Sequence, residues 1–124
     1  MKKPAEQTRI LVIDDDLAIL ESIGDVLELE GYQVEASTKN GDYLEESLRN
    51  GLPDLIIIDI LLSGYDGREI CRMLKSREET KHIPIVLISA HPEAKRTAME
   101  AGADGFIAKP FNIDDLLDAV AQQL

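Results

Sequence analysis

Four apolar runs end in residues that can do chemistry. Ile10-Leu11-Val12-Ile13 ends in Asp14-Asp15-Asp16, Leu55-Ile56-Ile57-Ile58 in Asp59, Ile85-Val86-Leu87-Ile88 in Ser89, and Phe106-Ile107-Ala108 in Lys109-Pro110. Together Asp14, Asp15, Asp59, Ser89 and Lys109 have the makings of a site for a divalent cation and a phosphoryl group. Hard carboxylate oxygens suit Mg²⁺, which typically takes one or two carboxylates plus phosphate oxygen and keeps several waters. A flexible ammonium such as Lys109 can reach a carboxylate or a phosphate oxygen, and the Ser89 hydroxyl can donate to a phosphoryl oxygen. Each residue also has a plain reading: acids after strands cap helices and form turns, and a lysine or serine at a strand end is often only solvated. The plain reading suffices for Asp16, which directly precedes a helix. It fits Asp14, Asp15 and Asp59 poorly. If their strands are neighbours, the strand ends lie ~5 Å apart. Two carboxylates that close repel by about 3–4 kcal/mol at an effective dielectric near 20. A proton, a lysine or a metal must offset that cost.

The elements that would position these residues alternate five times between strand and helix. Short apolar runs separated by helix-length segments read as buried parallel strands. Strands are expected at about 10–14, 33–37, 54–59, from Pro84 and at 105–109. The second is short and alternating, as at a sheet edge. Helices are expected at about 17–30, 42–50, 67–77, from Pro92 to Ala101-Gly102, and from Asn112 onward. Leu20, Ile23 and Leu27 form the first helix's apolar stripe and Gly31 its stop. Asp66 is a candidate N-cap for the third. Ile113, Leu116, Leu117, Val120 and Leu124 form the stripe of the fifth. Short connections in such a chain imply a parallel sheet covered on both faces by right-handed crossovers. The strands' carboxyl ends then open on one edge, where ligands bind. Pro110 makes a cis peptide after Lys109 accessible, since that form costs only about 0.5–1 kcal/mol before proline.

At 124 residues the chain reads as one domain (9–124) behind a loose tail (1–8). Apolar residues make up 44% of it and aromatics 4%, so the core must be aliphatic. The net charge of −11 argues against this domain holding nucleic acid directly. No apolar run approaches the ~20 residues of a membrane span and no secretory leader is visible. The single cysteine, Cys71, excludes an internal disulfide and reads as a buried helix residue. The expected location is the cytoplasm. Arg68, Arg72, Lys75, Lys95 and Arg96 read as solvated surface, or else as a binding face, and His82 as a plain surface histidine.

Taken in order, Ile10 to Asp16, Leu55 to Asp59 followed by Gly64-Tyr65-Asp66-Gly67, Ser89-Ala90, and Ala101-Gly102-Ala103-Asp104-Gly105-Phe106 through Lys109-Pro110-Phe111 resemble a response-regulator receiver domain of two-component signalling. The resemblance covers about 9–124. It implies a flavodoxin-like (βα)5 fold, a doubly wound five-stranded parallel sheet of order 2-1-3-4-5. It makes Asp59 the phosphoacceptor, served by a histidine kinase or phosphotransfer protein. Asp14, Asp15, Asp59 and the backbone carbonyl of Leu61 would hold Mg²⁺, with Mn²⁺ able to stand in. Lys109 would pair with the phosphoryl group, Ser89 would hydrogen-bond it, and Phe106 would turn inward. The helix-four, strand-five and helix-five surface would change for a downstream protein target or a fused output domain, and a homodimer on activation is within the family's range. Leu61 and His91 stand where side chains tune hydrolysis of the acyl phosphate. The implied module is not a conventional enzyme, although it assists its own phosphotransfer and dephosphorylation.

Some positions depart from the family pattern. Ser63 replaces the usual proline, Ser89 the commoner threonine and Phe106 tyrosine, and the Ser89–Lys109 segment is about two residues short. Other readings also stand. One is a degenerate receiver working by contacts alone. A haloacid-dehalogenase-like phosphohydrolase would use Asp14 and Asp16 as an Asp-x-Asp pair, but expects a longer chain. A flavodoxin-like cofactor binder would need a hydroxyl- or glycine-rich phosphate loop where this chain has acids. The chain is equally readable as a stand-alone shuttle or as a module from a larger regulator.

Overall fold

The computed structural model describes residues 3–38, 41–62 and 64–124, and Ser63 lies outside them. In chain order the strands are β1 (Arg9–Ile13), β2 (Gln33–Ser37), β3 (Leu55–Asp59), β4 (Leu61–Leu62), β5 (Tyr65–Asp66), β6 (Ile85–Ser89) and β7 (Gly105–Ala108). The α-helices are α1 (Leu17–Leu29), α2 (Gly41–Arg49), α3 (Gly67–Ser76), α4 (Lys95–Glu100) and α5 (Ile113–Gln123). The main sheet has the order β2-β1-β3-β6-β7, all parallel. Counting its five strands alone, that is the expected 2-1-3-4-5 order. A short antiparallel ribbon, β4–β5, lies between β3 and α3.

Alternation along the strands sorts the core into two layers. Leu11, Ile13, Ile56, Ile58, Ile85 and Leu87 pack with Leu44, Ile70, Cys71, Leu74 and Ala98 from α2, α3 and α4. Ile10, Val12, Leu55, Ile57, Val86, Ile88 and Ile107 pack with Leu20, Ile23 and Leu27 of α1 and Leu116 and Val120 of α5. Because helices cover both faces, β3 and β6 are buried at every position, which is why they read as continuous apolar runs.

The helix ends follow the sequence. Asp16 caps α1 by accepting from the N–H groups of Ala18 and Ile19, and Asp66 caps α3 by accepting from Arg68 N–H. Gly31 terminates α1 at φ +95°, a conformation costly for any residue with a Cβ. Asn112 and Asp115 form a capping box at α5. The Lys109–Pro110 peptide is cis.

Four expectations are corrected. Pro92 opens a 3-10 turn (Pro92–Ala94), and α4 begins only at Lys95, because the Ser89–Lys109 segment is short. Ile113 is exposed rather than part of the α5 stripe, since as the first helical residue it lies beyond the sheet edge. The segment read as a loose tail carries contacts of its own. Ala5–Gln7 form a 3-10 turn, Thr8 is buried, and Lys3 pairs with Asp54 at 2.9 Å. Of the basic residues of α3, Arg72 is exposed surface paired with Glu69, whereas Arg68 and Lys75 are partly buried and paired with Asp66 and Asp104. Cys71 is buried as expected, and burial pushes its thiol up to about 11. Among the described residues no helix is long and apolar enough to cross a membrane.

Candidate functional site

Register brings the chemistry together. Ile13 of β1 lies beside Ile58 of β3, so the next residues, Asp14 and Asp59, emerge as neighbours at the carboxyl edge. Asp59 pairs with Ile88, which places Ser89 one step further on, and Ser89 pairs with Ala108, just before Lys109. Alternation then divides the group. Asp14, Asp59 and Lys109 continue the rows of Val12, Ile57 and Ile107, which face α1 and α5. Ser89 continues the row of Leu87, which faces α3 and α4, where Phe106 also packs half-buried.

Lys109 Nζ donates to Asp59 Oδ2 at 2.7 Å and to Asp14 Oδ2 at 3.2 Å. The remaining oxygens are also engaged. Asp14 Oδ1 accepts from Asp16 N–H at 2.8 Å, and Asp59 Oδ1 from Leu61 N–H at 3.1 Å. Asp14 is 1% exposed and Asp59 7%, so water does little to screen either charge. Burial, aided by the negative charge of Asp59, raises the Asp14 carboxyl above its ordinary value despite the Asp16 N–H and Lys109. Burial also disfavours the Lys109 ammonium, but its bond to Asp59 and the charges of both acids outweigh that and raise its pKa. The lysine thus supplies one of the three means of offsetting the repulsion.

Ser89 is buried, and its Oγ accepts from His91 N–H at 3.0 Å. It can keep that bond while donating its own proton. Lys109 N–H bonds Ser89 carbonyl at 2.8 Å, tying the two strand ends together. Asp15 is exposed at the rim, and Leu61 is 62% exposed. His91 is also exposed, with Nδ1 3.5 Å from Glu93. His82 is exposed, as its plain reading had it.

Gly67, in the sequence only a motif glycine at the start of a helix, also shapes the site. A Cβ there would stand 2.4 Å from the Asp59 carbonyl oxygen and 3.0 Å from Ile60 Cα. Its N–H bonds Ile60 carbonyl at 2.8 Å, so the start of α3 presses directly on the backbone of the acceptor strand. The Asp-Gly pair signals a turn, but the close approach depends on how α3 folds back.

Among the described residues no three acidic, histidine or cysteine groups stand together as a ready cation cage. The donor chemistry nevertheless fits Mg²⁺, which needs only one or two carboxylates and fills its remaining positions with water. Asp14 and Asp59 supply those, with Asp15 beside them.

Comparison with known proteins agrees with this geometry. The family model described as the response regulator receiver domain matches residues 10–121. The phosphate regulon transcriptional regulatory protein PhoB of Rhizobium meliloti is 36% identical over 118 residues, covering 94% of this chain and 52% of that protein. The chain spans about half the length of the curated relatives it matches. A putative response regulator from Chloroflexus aurantiacus superposes with a TM-score of 0.88 at 32% identity, covering 98% of both chains. The response regulator TrrA of Thermotoga maritima, solved in complex with Mg²⁺-BeF, has a TM-score of 0.83 at 31% identity, covering 94% of this chain and 99% of that one. With its sheet order, its acidic edge and this match over nearly its whole length, the chain belongs to the response regulator receiver domain family, the signalling modules of two-component systems.

Proposed function

We propose that this chain accepts a phosphoryl group on Asp59 from a histidine kinase or phosphotransfer protein and signals by a change of surface. The observation that carries the reading is the Lys109 ammonium bound at once to Asp59 and Asp14 at the carboxyl edge of the sheet. The ammonium fixes the Asp59 carboxylate at the sheet edge and offsets part of its repulsion with Asp14, leaving a nucleophilic oxygen positioned for an incoming phosphoryl group. A carboxylate oxygen of Asp59 attacks phosphorus, the bond to the donor's imidazole nitrogen breaks, and an acyl phosphate forms. Mg²⁺, held by Asp14, Asp15, Asp59 and the Leu61 carbonyl, would neutralise charge on the transferring group, a role Mn²⁺ could also fill. The solved complex of the related TrrA with Mg²⁺-BeF supports the use of Mg²⁺.

Lys109 then follows the new negative charge onto the phosphoryl group, and Ser89 donates its hydroxyl to a phosphoryl oxygen. Ser89 and Phe106 share the α3–α4 side of the sheet, so movement of one opens space for the other. The result is a two-state switch of the α4, β7 and α5 surface. Without a hydroxyl, Phe106 must act by packing. The exposed Leu61 and His91 flank the approach of water and would set the lifetime of the acyl phosphate.

The partners are a kinase or phosphotransfer protein upstream and a protein target or fused output domain downstream, with a homodimer on activation as one form of output. Such a receiver works in the cytoplasm, where histidine kinases present their phosphohistidine. A phosphohydrolase using Asp14 and Asp16 together is disfavoured, because Asp16 is committed to capping α1.

Intact mass after incubation with Mg²⁺ and acetyl phosphate tests the reading. One added phosphoryl group that requires Mg²⁺ and is lost in Asp59→Asn is expected. No adduct after rapid quenching, with a histidine-kinase donor tried as well, would leave a degenerate receiver working by contacts alone.

A further inference from the structure

Arg68 holds two elements at once. Its Nε lies 3.0 and 3.2 Å from the two Asp66 carboxylate oxygens, and its NH2 lies 2.7 Å from Oδ2. The remaining nitrogen, NH1, donates to Thr97 Oγ1 at 2.9 Å, and that hydroxyl donates to the Ala94 carbonyl at 3.0 Å. The guanidinium is planar, so gripping Asp66 along one edge fixes where the other end points. Asp66 is itself fixed, since it caps α3 and pairs with Leu61 across the β4–β5 ribbon. Leu61 N–H in turn binds Asp59 Oδ1. Contacts therefore run without a gap from the acceptor carboxylate, through the ribbon and Arg68, to α4.

Little else holds that helix. It has six residues, its N-cap Ala94 makes no side-chain cap bond, and among the described residues Ala98 is its one buried side chain. Alanine buries little apolar surface, so the seat of α4 on the core is shallow. One charge-assisted hydrogen bond is then a large share of what fixes its position. The Arg68–Thr97 bond borders a cleft of about 290 Å³ that is also lined by Leu61, Ser89 and His91, the residues on this side of the phosphorylation site.

We infer that Arg68 is a latch, holding α4 through Thr97 in the unphosphorylated arrangement and releasing it when the loop after Asp59 is rebuilt around a phosphoryl group. This rests on the reading of Asp59 as phosphoacceptor. It adds a second route from the site to α4, separate from the one through Ser89. In the free protein the latch favours the resting state, and its loss makes that state easier to leave.

Amide hydrogen exchange of 95–101, read in the free protein for wild type, Thr97→Val, Arg68→Met and the double variant, tests the tie. Thr97→Val keeps the side-chain shape and leaves the Arg68–Asp66 pair intact. It should raise exchange of the α4 amides about three- to tenfold, as expected for one partly exposed charged hydrogen bond, with α3 unchanged. Arg68→Met should do the same and also loosen the start of α3, and the double variant should loosen α4 no further than Arg68→Met alone. Thr97→Ser, which keeps the hydroxyl, should stay near wild type. A Thr97→Val protein whose α4 exchanges like wild type, or additive effects in the double variant, would overturn the tie. After incubation with Mg²⁺ and acetyl phosphate, the gap between wild type and Thr97→Val should close; a gap that persists in the phosphorylated protein would overturn release. If wild type takes up no phosphoryl group, the reading of Asp59 fails, while the free-protein comparison still decides the tie.

Discussion

Lys109 Nζ stands 2.7 Å from Asp59 Oδ2, a contact closed across 50 residues of chain. The same ammonium lies 3.2 Å from Asp14, so one positive charge serves two buried carboxylates. Counted together, these three side chains leave one net negative charge. That excess is what a divalent cation or a change of protonation would relieve.

Removing the lysine tests this balance. Lys109→Ala leaves Asp14 and Asp59 buried without their shared partner. Breaking a buried pair in this way should cost about 3–5 kcal/mol of stability without added Mg²⁺, read from urea unfolding. Mg²⁺ should then stabilise the variant more than wild type, because ligand that binds only the folded state shifts unfolding in its favour. An unchanged urea midpoint without metal would mean that the lysine does not carry the charge of the site.

The space at Gly67 tests the backbone of the site rather than its charge. A methyl group there meets the Asp59 carbonyl oxygen at 2.4 Å, and neither partner is a flexible side-chain end. Gly67→Ala should lower stability by about 1–3 kcal/mol, the range for overpacking. It should also slow phosphorylation from acetyl phosphate by displacing Asp59. Wild-type rates and stability in this variant would show that α3 can retreat from the acceptor strand without cost.

The amino-terminal edge supplies a pH dependence. Asp54 accepts from Arg9 N–H and from Lys3, each at 2.9 Å. Burial raises its pKa, but these two bonds and the nearby charges outweigh burial and hold it below the ordinary 3.8. A carboxyl lowered on folding adds stability above its unfolded value, and that stability is lost as pH falls through the folded value. The urea-midpoint difference between wild type and Asp54→Asn should thus be constant near neutrality and shrink only below pH 3.8. A difference that stays level through that acid range would show that the Asp54 contacts do not favour its charged form.

How much of this could be read from the chain depends on how local each cause is. Asp14, Asp59, Ser89 and Lys109 were legible because an apolar run fixes a buried strand, and the residue after it must then face the sheet edge. The caps at Asp16 and Asp66 were legible for the same reason, since each depends on its immediate neighbours. Ile113 was misplaced because helical periodicity marks a stripe without saying where the sheet ends beneath it. The 3-10 turn at Pro92 was missed because proline suits the first turn of either helix type. Arg68 looked like solvated surface, since its bond to Thr97 exists only once α3 and α4 are set side by side. The contacts of Thr8 and Lys3 likewise depend on strand pairing, which composition does not reveal.

Reductive trapping of the phosphorylated protein tests the central claim most directly. Borohydride converts an aspartyl acyl phosphate to homoserine and leaves free aspartate unchanged, so peptide mapping identifies the modified residue. After incubation with Mg²⁺ and acetyl phosphate, homoserine is expected at position 59 alone, and none when Mg²⁺ is withheld. Homoserine at Asp14, Asp15 or another acid, or none in a protein that carries the added mass, would contradict the assignment of Asp59 as phosphoacceptor.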